Sequence, residues 1–187
     1  MLFRSVISGT AKSRKIKVPR IQGTRPTLDN VREALFNILG EVVRGKSIVD
    51  LYAGSGSLGI EALSRGTRSV TFVDSNPKCT FVIRDNLKNL GFSEQAVVLN
   101  LKASQAIERF HRSKKRFDIV ILDPPYGMAK KSLNDLAKSD ILKTCSFVIV
   151  EHYKKEILPE KDRILTHKRT ECYGDTCLSF YVKSEAR

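Results

Sequence analysis

Residues 47–60 read SIVDLYAGSGSLGI. Ser47 to Tyr52 is a short apolar, β-branched run holding one acid, Asp50, which suits a buried strand. Gly54, Gly56 and Gly59 follow, and a helical pattern opens at Ile60. Strand, tight glycine turn and helix N-terminus in that order mark where an open α/β sheet receives a nucleotide-like ligand. Gly54-Ser55-Gly56-Ser57-Leu58-Gly59 fits G-x-G-x-x-G, and an acid, Asp74, follows about 20 residues on. Two ligands satisfy this pattern, NAD(P) and S-adenosylmethionine. A carboxylate at the mouth of a pyrophosphate site would repel it, so Asp50 favours S-adenosylmethionine, which carries an ammonium and a sulfonium.

Outward from this stretch, apolar strands alternate with helical patterns. Strands are expected at 69–74, 96–101, 117–122 and 146–151, and helices at 57–65, 77–90, 103–111 and 131–139. Asn76-Pro77 starts one helix and Gly91 stops it. Ahead of the glycine turn, Val31, Leu35, Ile38 and Val42 recur at helical spacing behind a Thr27 N-cap. From Arg163 to Lys183 the pattern is strand-like about a turn at Gly174, with Leu178, Phe180 and Val182 alternating with polar or half-polar neighbours. The fold class expected is therefore α/β and Rossmann-like: a mostly parallel seven-stranded sheet ending in an antiparallel hairpin, the ending of a methyltransferase sheet rather than a dehydrogenase one. A small N-terminal β-hairpin around Gly9 to Lys12 precedes it. The division expected is a basic arm over 1–24 and a methyltransferase domain over 25–187 within one globular unit.

The chain has 187 residues, 41% apolar and 28% charged, ordinary values for a single soluble domain. No apolar run reaches membrane-span length, and MLFRSV is too short for a signal peptide, so a cytoplasmic protein is expected. The net charge is +13. No Asp or Glu precedes Asp29, whereas Arg4, Lys12, Arg14, Lys15, Lys17, Arg20 and Arg25 all do. A second basic cluster spans Arg109 to Arg116. Such blocks point to a polyanion, most often nucleic acid. Lys12, Arg14, Lys15, Arg20 and Arg25 are the candidate RNA contacts, with no internal partner expected for the arm cations. Cys79, Cys145, Cys172 and Cys177 form no C-x-x-C pair and His111, His152 and His167 complete no zinc spacing, so no metal is expected. The cysteines read as reduced thiols, with a Cys172–Cys177 bridge across a turn at 173–176 only the outside alternative.

The fourth strand runs into Asp123-Pro124-Pro125-Tyr126. Two prolines make a stiff extended loop at the ligand edge of the sheet. Asp123 and the Pro124 carbonyl offer acceptors and Tyr126 a flat ring, which suits a planar base bearing an exocyclic amine. D-P-P-Y is similar to the D/N-P-P-Y/F motif of methyltransferases acting on exocyclic base nitrogens. RPTLDNVREALFNIL, LYAGSGSLGIEALSRG, FVDSN, ILDPPYG and YGDTCLSFY, in that order, resemble the RsmD family, the bacterial small-subunit (16S) ribosomal RNA guanine-N2 methyltransferases. The resemblance spans nearly the whole chain. It implies a methyl transfer from S-adenosyl-L-methionine to a guanine N2 amine, with Asp123, Pro124, Pro125 and Tyr126 catalytic. It places the cofactor on Asp50, Ala53, Gly54, Ser55, Gly56, Asp74 and Ala103, with Lys102, which cannot accept a hydrogen bond, just before the adenine site. The partner implied is ribosomal RNA, in a small subunit or an assembly intermediate, met by a monomer. N6-adenine methylation, or a non-catalytic RNA- or nucleotide-binding Rossmann protein, are the other readings of the same motifs.

Overall fold

The computed structural model describes residues 2–19 and 29–183. Strands β1 (Leu2–Ser5) and β2 (Lys15–Val18) form an antiparallel hairpin. Helix α1 (Asp29–Leu39) follows, then β3 (Ser47–Asp50), α2 (Ser57–Ser64), β4 (Ser69–Asp74), α3 (Pro77–Leu90), β5 (Ala96–Asn100) and α4 (Ala103–Arg112). The chain continues through β6 (Phe117–Leu122), α5 (Ala129–Ala137), β7 (Leu142–Tyr153), β8 (Lys161–Asp162), β9 (Leu165–Tyr173) and β10 (Thr176–Lys183). The main sheet has the order β5-β4-β3-β6-β7-β10-β9-β8. Pairing is parallel from β5 to β7 and antiparallel from β7 to β8. The seven expected strands are all present, and β8 adds a two-residue edge. Among the described residues no helix is long and apolar enough to cross a membrane.

Both faces of the central strands are covered, which is why their sequences are nearly continuous apolar runs. Every residue of β3 is buried. On one face Phe72, Ile119, Ile121 and Leu178 pack with Leu35 of α1, Ile60 of α2 and Ile83 of α3. On the other, Val49, Val120, Leu122 and Val148 pack with Phe110 of α4 and Leu133 of α5. Local signals set the element ends. The Asn76 side chain accepts from Lys78 N–H at 2.9 Å, Pro77 occupies the first turn of α3, and Gly91 ends it in the left-handed region. The Thr27 N-cap and the 24/25 division lie outside the described residues.

The hairpin is anchored rather than free. The buried Glu61 carboxylate accepts from the backbone N–H groups of Ile7 and Ser8 at 2.8 and 3.0 Å, and from Arg65 Nε at 2.8 Å. Ala11 N–H donates to Ser64 Oγ, and Asn86 exchanges two hydrogen bonds with the Lys17 backbone. Val6, Ala11 and Ile16 join the core of the sheet.

One expectation is corrected here. Cys172 and Cys177 are not reduced thiols but a disulfide, with Cα atoms 4.0 Å apart. The tight turn between β9 and β10 sets a register in which the two residues lie directly opposite each other. Cys79 and Cys145 are free.

Helix α2 must lie close against β4, and Gly59 is the contact point. A Cβ there would stand 2.2 Å from Phe72 Cε1 and 2.9 Å from Val70 Cγ1. Phe72 is fully buried. Gly59→Ala should therefore destabilise the fold by about 1–3 kcal/mol through overpacking, against the usual helix preference for alanine. Urea unfolding of the two proteins measures this, and an unchanged midpoint would show that α2 can lift off the sheet.

Candidate active site

The carboxyl ends of β3, β4, β6 and β7 open onto one cleft of about 840 Å³. The glycine turn after β3 forms its floor. Gly54 and Gly56 take φ of 53° and 79°, a left-handed conformation that a side chain would strain. Leu51 N–H donates to the Ile121 carbonyl, and Ala53 N–H to the Val73 carbonyl, so the turn is tied to β6 and β4 at once.

Ala53, Gly54, Ser55, Asp74, Ala103, Asp123, Pro124, Pro125 and Tyr126 all line this cleft. The fold thus gathers residues from four loops that the sequence spreads over 74 positions. Lys102 lines it too, beside Ala103 at the start of α4. Asp74 is held in place by the backbone: its Oδ2 accepts from Gly54 N–H and its Oδ1 from Asn76 N–H, both at 2.8 Å. Each oxygen keeps acceptor capacity toward the cleft. The half-exposed Tyr126 ring packs against Tyr153, with centroids 5.6 Å apart and planes at 60°. Glu156 accepts from Gly127 N–H and Lys130 N–H at 3.2 Å, fixing the loop beyond the prolines to the start of α5.

Two of the expected residues lie elsewhere. Gly56 sits behind the lining, against Ile83. Asp50 is not at the mouth of the site but 1% exposed beneath the turn. Neither of its carboxyl oxygens has a hydrogen-bond partner of good geometry. Burial, then the nearby Asp123 and Asp74, push its pKa up to about 8, against a smaller pull from the Tyr52 and Gly59 backbone. At neutral pH Asp50 is mostly protonated, so it does not repel a pyrophosphate as an open carboxylate would. Asp74 and Asp123 carry that argument instead.

Of the arm cations, Arg14 does have internal partners: its guanidinium donates to the Asn89 and Leu90 carbonyls at the end of α3. Nearby Lys17 pairs with Asp85 at 2.6 Å. Lys12 and Lys15 are exposed. Arg20 and Arg25 lie outside the described residues. In the mid-chain cluster Arg112 pairs with Glu108 and Arg116 with Asp140, while Lys115 lies over the Phe110 and Phe117 rings.

The cleft also holds residues that the motifs did not announce, among them Glu151 and His152 of β7 and Ser132 of α5. His152 is buried, with Nε2 2.8 Å from Ser179 Oγ, and Ser132 Oγ is 2.7 Å from the Tyr52 hydroxyl. Glu151 had a sequence signal. Four strands read IVD, FVD, ILD and IVE, each an apolar run closed by an acid at the same edge.

A parallel sheet that ends antiparallel, with a glycine turn, an acid closing the next strand and a D-P-P-Y loop on one cleft, defines the Rossmann-like class of S-adenosylmethionine-dependent methyltransferases. The family described as "Conserved hypothetical protein 95" matches residues 4–182. Ribosomal RNA small subunit methyltransferase D of Haemophilus influenzae is 36% identical over 170 residues, covering 88% of each chain. The protein of that name in Escherichia coli is 33% identical over 180 residues, covering 95% of this chain and 89% of its own. A solved Escherichia coli structure, described provisionally as methyltransferase yhhF, superposes with a TM-score of 0.85 at 29% identity, over 98% of this chain and 99% of that one. This chain belongs to the ribosomal RNA small subunit methyltransferase D family.

The buried Asp50 gives a pH signature. An acid raised from 3.8 to about 8 keeps its proton in the fold, while the unfolded chain releases it near pH 4. The unfolded state then binds fewer protons, so this group costs stability increasingly as pH rises from about 4 to 8. Asp50→Asn keeps the shape and removes the titration. Relative to wild type the variant should gain at least about 1.4 kcal/mol between pH 5 and pH 8, the equivalent of one pKa unit. Urea melts at the two pH values check this; parallel profiles would mean that Asp50 is ionised in the fold.

Proposed function

We propose that this chain transfers a methyl group from S-adenosylmethionine to the exocyclic N2 amine of a guanine in small-subunit ribosomal RNA. The observation that carries the reading is the D-P-P-Y loop opening into the cleft of the glycine turn, beside Asp74. The names of the relatives supply the RNA; the loop supplies the amine.

The residues present fit the cofactor. Asp74, preset by Gly54 and Asn76, accepts from the ribose hydroxyls. Ala53 to Gly56 leave room for the methionine end, since a Cβ on Gly54 would meet nothing within 4 Å. Asp50, buried without a hydrogen-bond partner of good geometry under this turn, gains its charge most readily when a cation lies above it. The adenine lies near Ala103. S-adenosylmethionine supplies, when bound, a methyl group already activated on a sulfonium. The protein's share is then to position the amine and make it nucleophilic.

The guanine amine is a poor nucleophile because its lone pair is delocalised into the ring. Asp123 and the Pro124 carbonyl accept its two N–H groups, which favours a pyramidal nitrogen and frees that pair. Both bonds strengthen as positive charge develops on the nitrogen, so they stabilise the transition state more than the ground state. Asp123 is also placed to take the proton that the nitrogen must lose. Tyr126, braced by Tyr153, stacks on the base. A paired base cannot enter such a cleft, so the target is unpaired or flipped out. Incubation with labelled S-adenosylmethionine, hypomethylated small subunits and the same RNA free of protein, followed by digestion to nucleosides, tests the reading. It requires N2-methylguanosine, and labelled N6-methyladenosine alone would overturn it.

Asp123→Ala should lower kcat by roughly 10²-fold or more, with RNA affinity nearly unchanged. Single-turnover methylation at the wild-type rate would remove Asp123 from this role.

Lys12 in the hairpin loop and Lys15 at the start of β2 are exposed, and with Arg20 and Arg25 we assign them to phosphate contact; Arg14 is held by α3. Each phosphate contact adds about 0.7–0.9 to the slope of log K against log salt. Changing Lys12 and Lys15 to Ala should flatten that slope by about 1.4–1.8 and leave cofactor affinity intact. A salt titration of RNA binding reads this directly. Parallel lines would shift the RNA surface to the Arg109 to Arg116 cluster.

A further inference from the structure

Asp135 of α5 lines the cleft, and of the four acids at the ends of β3, β4, β6 and β7 three have a part above: Asp50 under the turn, Asp74 toward the ribose, Asp123 toward the amine. Glu151 has none. It lies near the carboxyl end of β7, half-buried, and lines the same cleft. The parallel register pairs Leu122 of β6 with Val150 of β7, so the next residue along each strand is Asp123 on one and Glu151 on the other. Adjacent strands stand about 4.8 Å apart. Asp123 and Glu151 therefore follow paired residues on adjacent strands, and both line the cleft that the base would enter.

The two candidate bases differ at one atom of that edge. With the exocyclic amine at Asp123, the next ring position is N1 in either purine. In guanine N1 carries a hydrogen and donates; in adenine it carries a lone pair and accepts. An ionised Glu side chain is an acceptor only. It would bond guanine N1–H and face adenine N1 lone pair to lone pair. Discrimination of this kind is large, because the mismatched partner leaves a desolvated polar group unpaired.

We propose that Glu151 accepts the N1–H of the target guanine and is the residue that sets base specificity. This rests on the guanine-N2 reading above, and it deepens that reading by assigning the choice of purine to a side chain outside the D-P-P-Y loop.

2-Aminopurine probes the contact, since it keeps the N2 amine but has a lone pair at N1; it also lacks O6, and the Glu151→Gln comparison separates the two changes. The test uses small subunits assembled on RNA that carries, at the methylated guanine located by mass spectrometry of ribonuclease fragments, either guanine or 2-aminopurine. Wild-type protein should methylate the 2-aminopurine form at least about 10²-fold more slowly. In Glu151→Gln the amide can turn either its oxygen to N1–H or its N–H groups to a lone pair. That variant should narrow the ratio to less than about 10-fold, with calorimetric S-adenosylmethionine affinity at the wild-type value as the control for folding. Wild-type rates within a few-fold of each other on the two substrates would overturn the proposal, and so would a folded variant that keeps the wild-type ratio. Equal wild-type rates overturn the proposal even if Glu151→Gln does not fold, and Glu151→Ala then replaces it, expected to narrow the ratio in the same direction. Failure of the wild type to make N2-methylguanosine on any guanine substrate would instead overturn the parent reading.

Discussion

The parallel sheet crowds carboxylates at one edge, and the site depends on giving each a different environment. Side by side at the ends of adjacent strands, four ionised acids would repel one another. The structure separates them by depth and by partners. Asp50 goes under the turn and holds its proton. Asp74 is tied by two backbone N–H groups, one of which belongs to the glycine turn itself. Asp123 and Glu151 are left half-buried at the open side. A cleft built this way favours ligands rich in positive charge and N–H or O–H donors, and disfavours a pyrophosphate.

That acidic edge is set in a chain of net charge +13. In the function proposed above the two signs divide the labour of recognition: exposed lysines on the hairpin would answer the phosphate backbone, which carries affinity without sequence information, and the acids the base and ribose edges, where neutral donors must be told apart. The hairpin keeps its place relative to the cleft because Glu61 of α2, two residues past Gly59, binds the Ile7 and Ser8 backbone. The helix that starts at the ligand turn is thus the one that carries the basic hairpin.

Much of this was legible in the chain. Central strands buried on both faces are continuous apolar runs, glycines and prolines punctuate them, and D-P-P-Y could only sit at a strand end. What escaped depended on partners far along the sequence. Glu61 looks like any helix acid until residues 54 positions away dock on it. Arg14 looks like a free cation until the end of α3 presents its carbonyls. The depth of Asp50 is invisible because a strand-terminal acid reads the same at the mouth or under the floor. For Cys172 and Cys177 the turn was visible, but only the hairpin register that sets them directly opposite decides for a bridge over two thiols. Glu151 was missed for a different reason: its strand was read for its apolar run and not for the residue that closes it.

The strand order carries a consequence for assembly. β10 comes after every other strand in the chain, yet it lies inside the sheet, between β7 and β9. Seven residue pairs join it to β7, from Phe147 to Tyr153. Until β10 is in place, β7 is an open edge with an apolar stretch from Phe147 to Val150, the kind of edge that templates pairing with other chains. The sheet therefore cannot be completed strand by strand from the amino-terminal side. The cleft, which takes Glu151 and His152 from β7 and Thr176 from β10, is finished only with that last insertion.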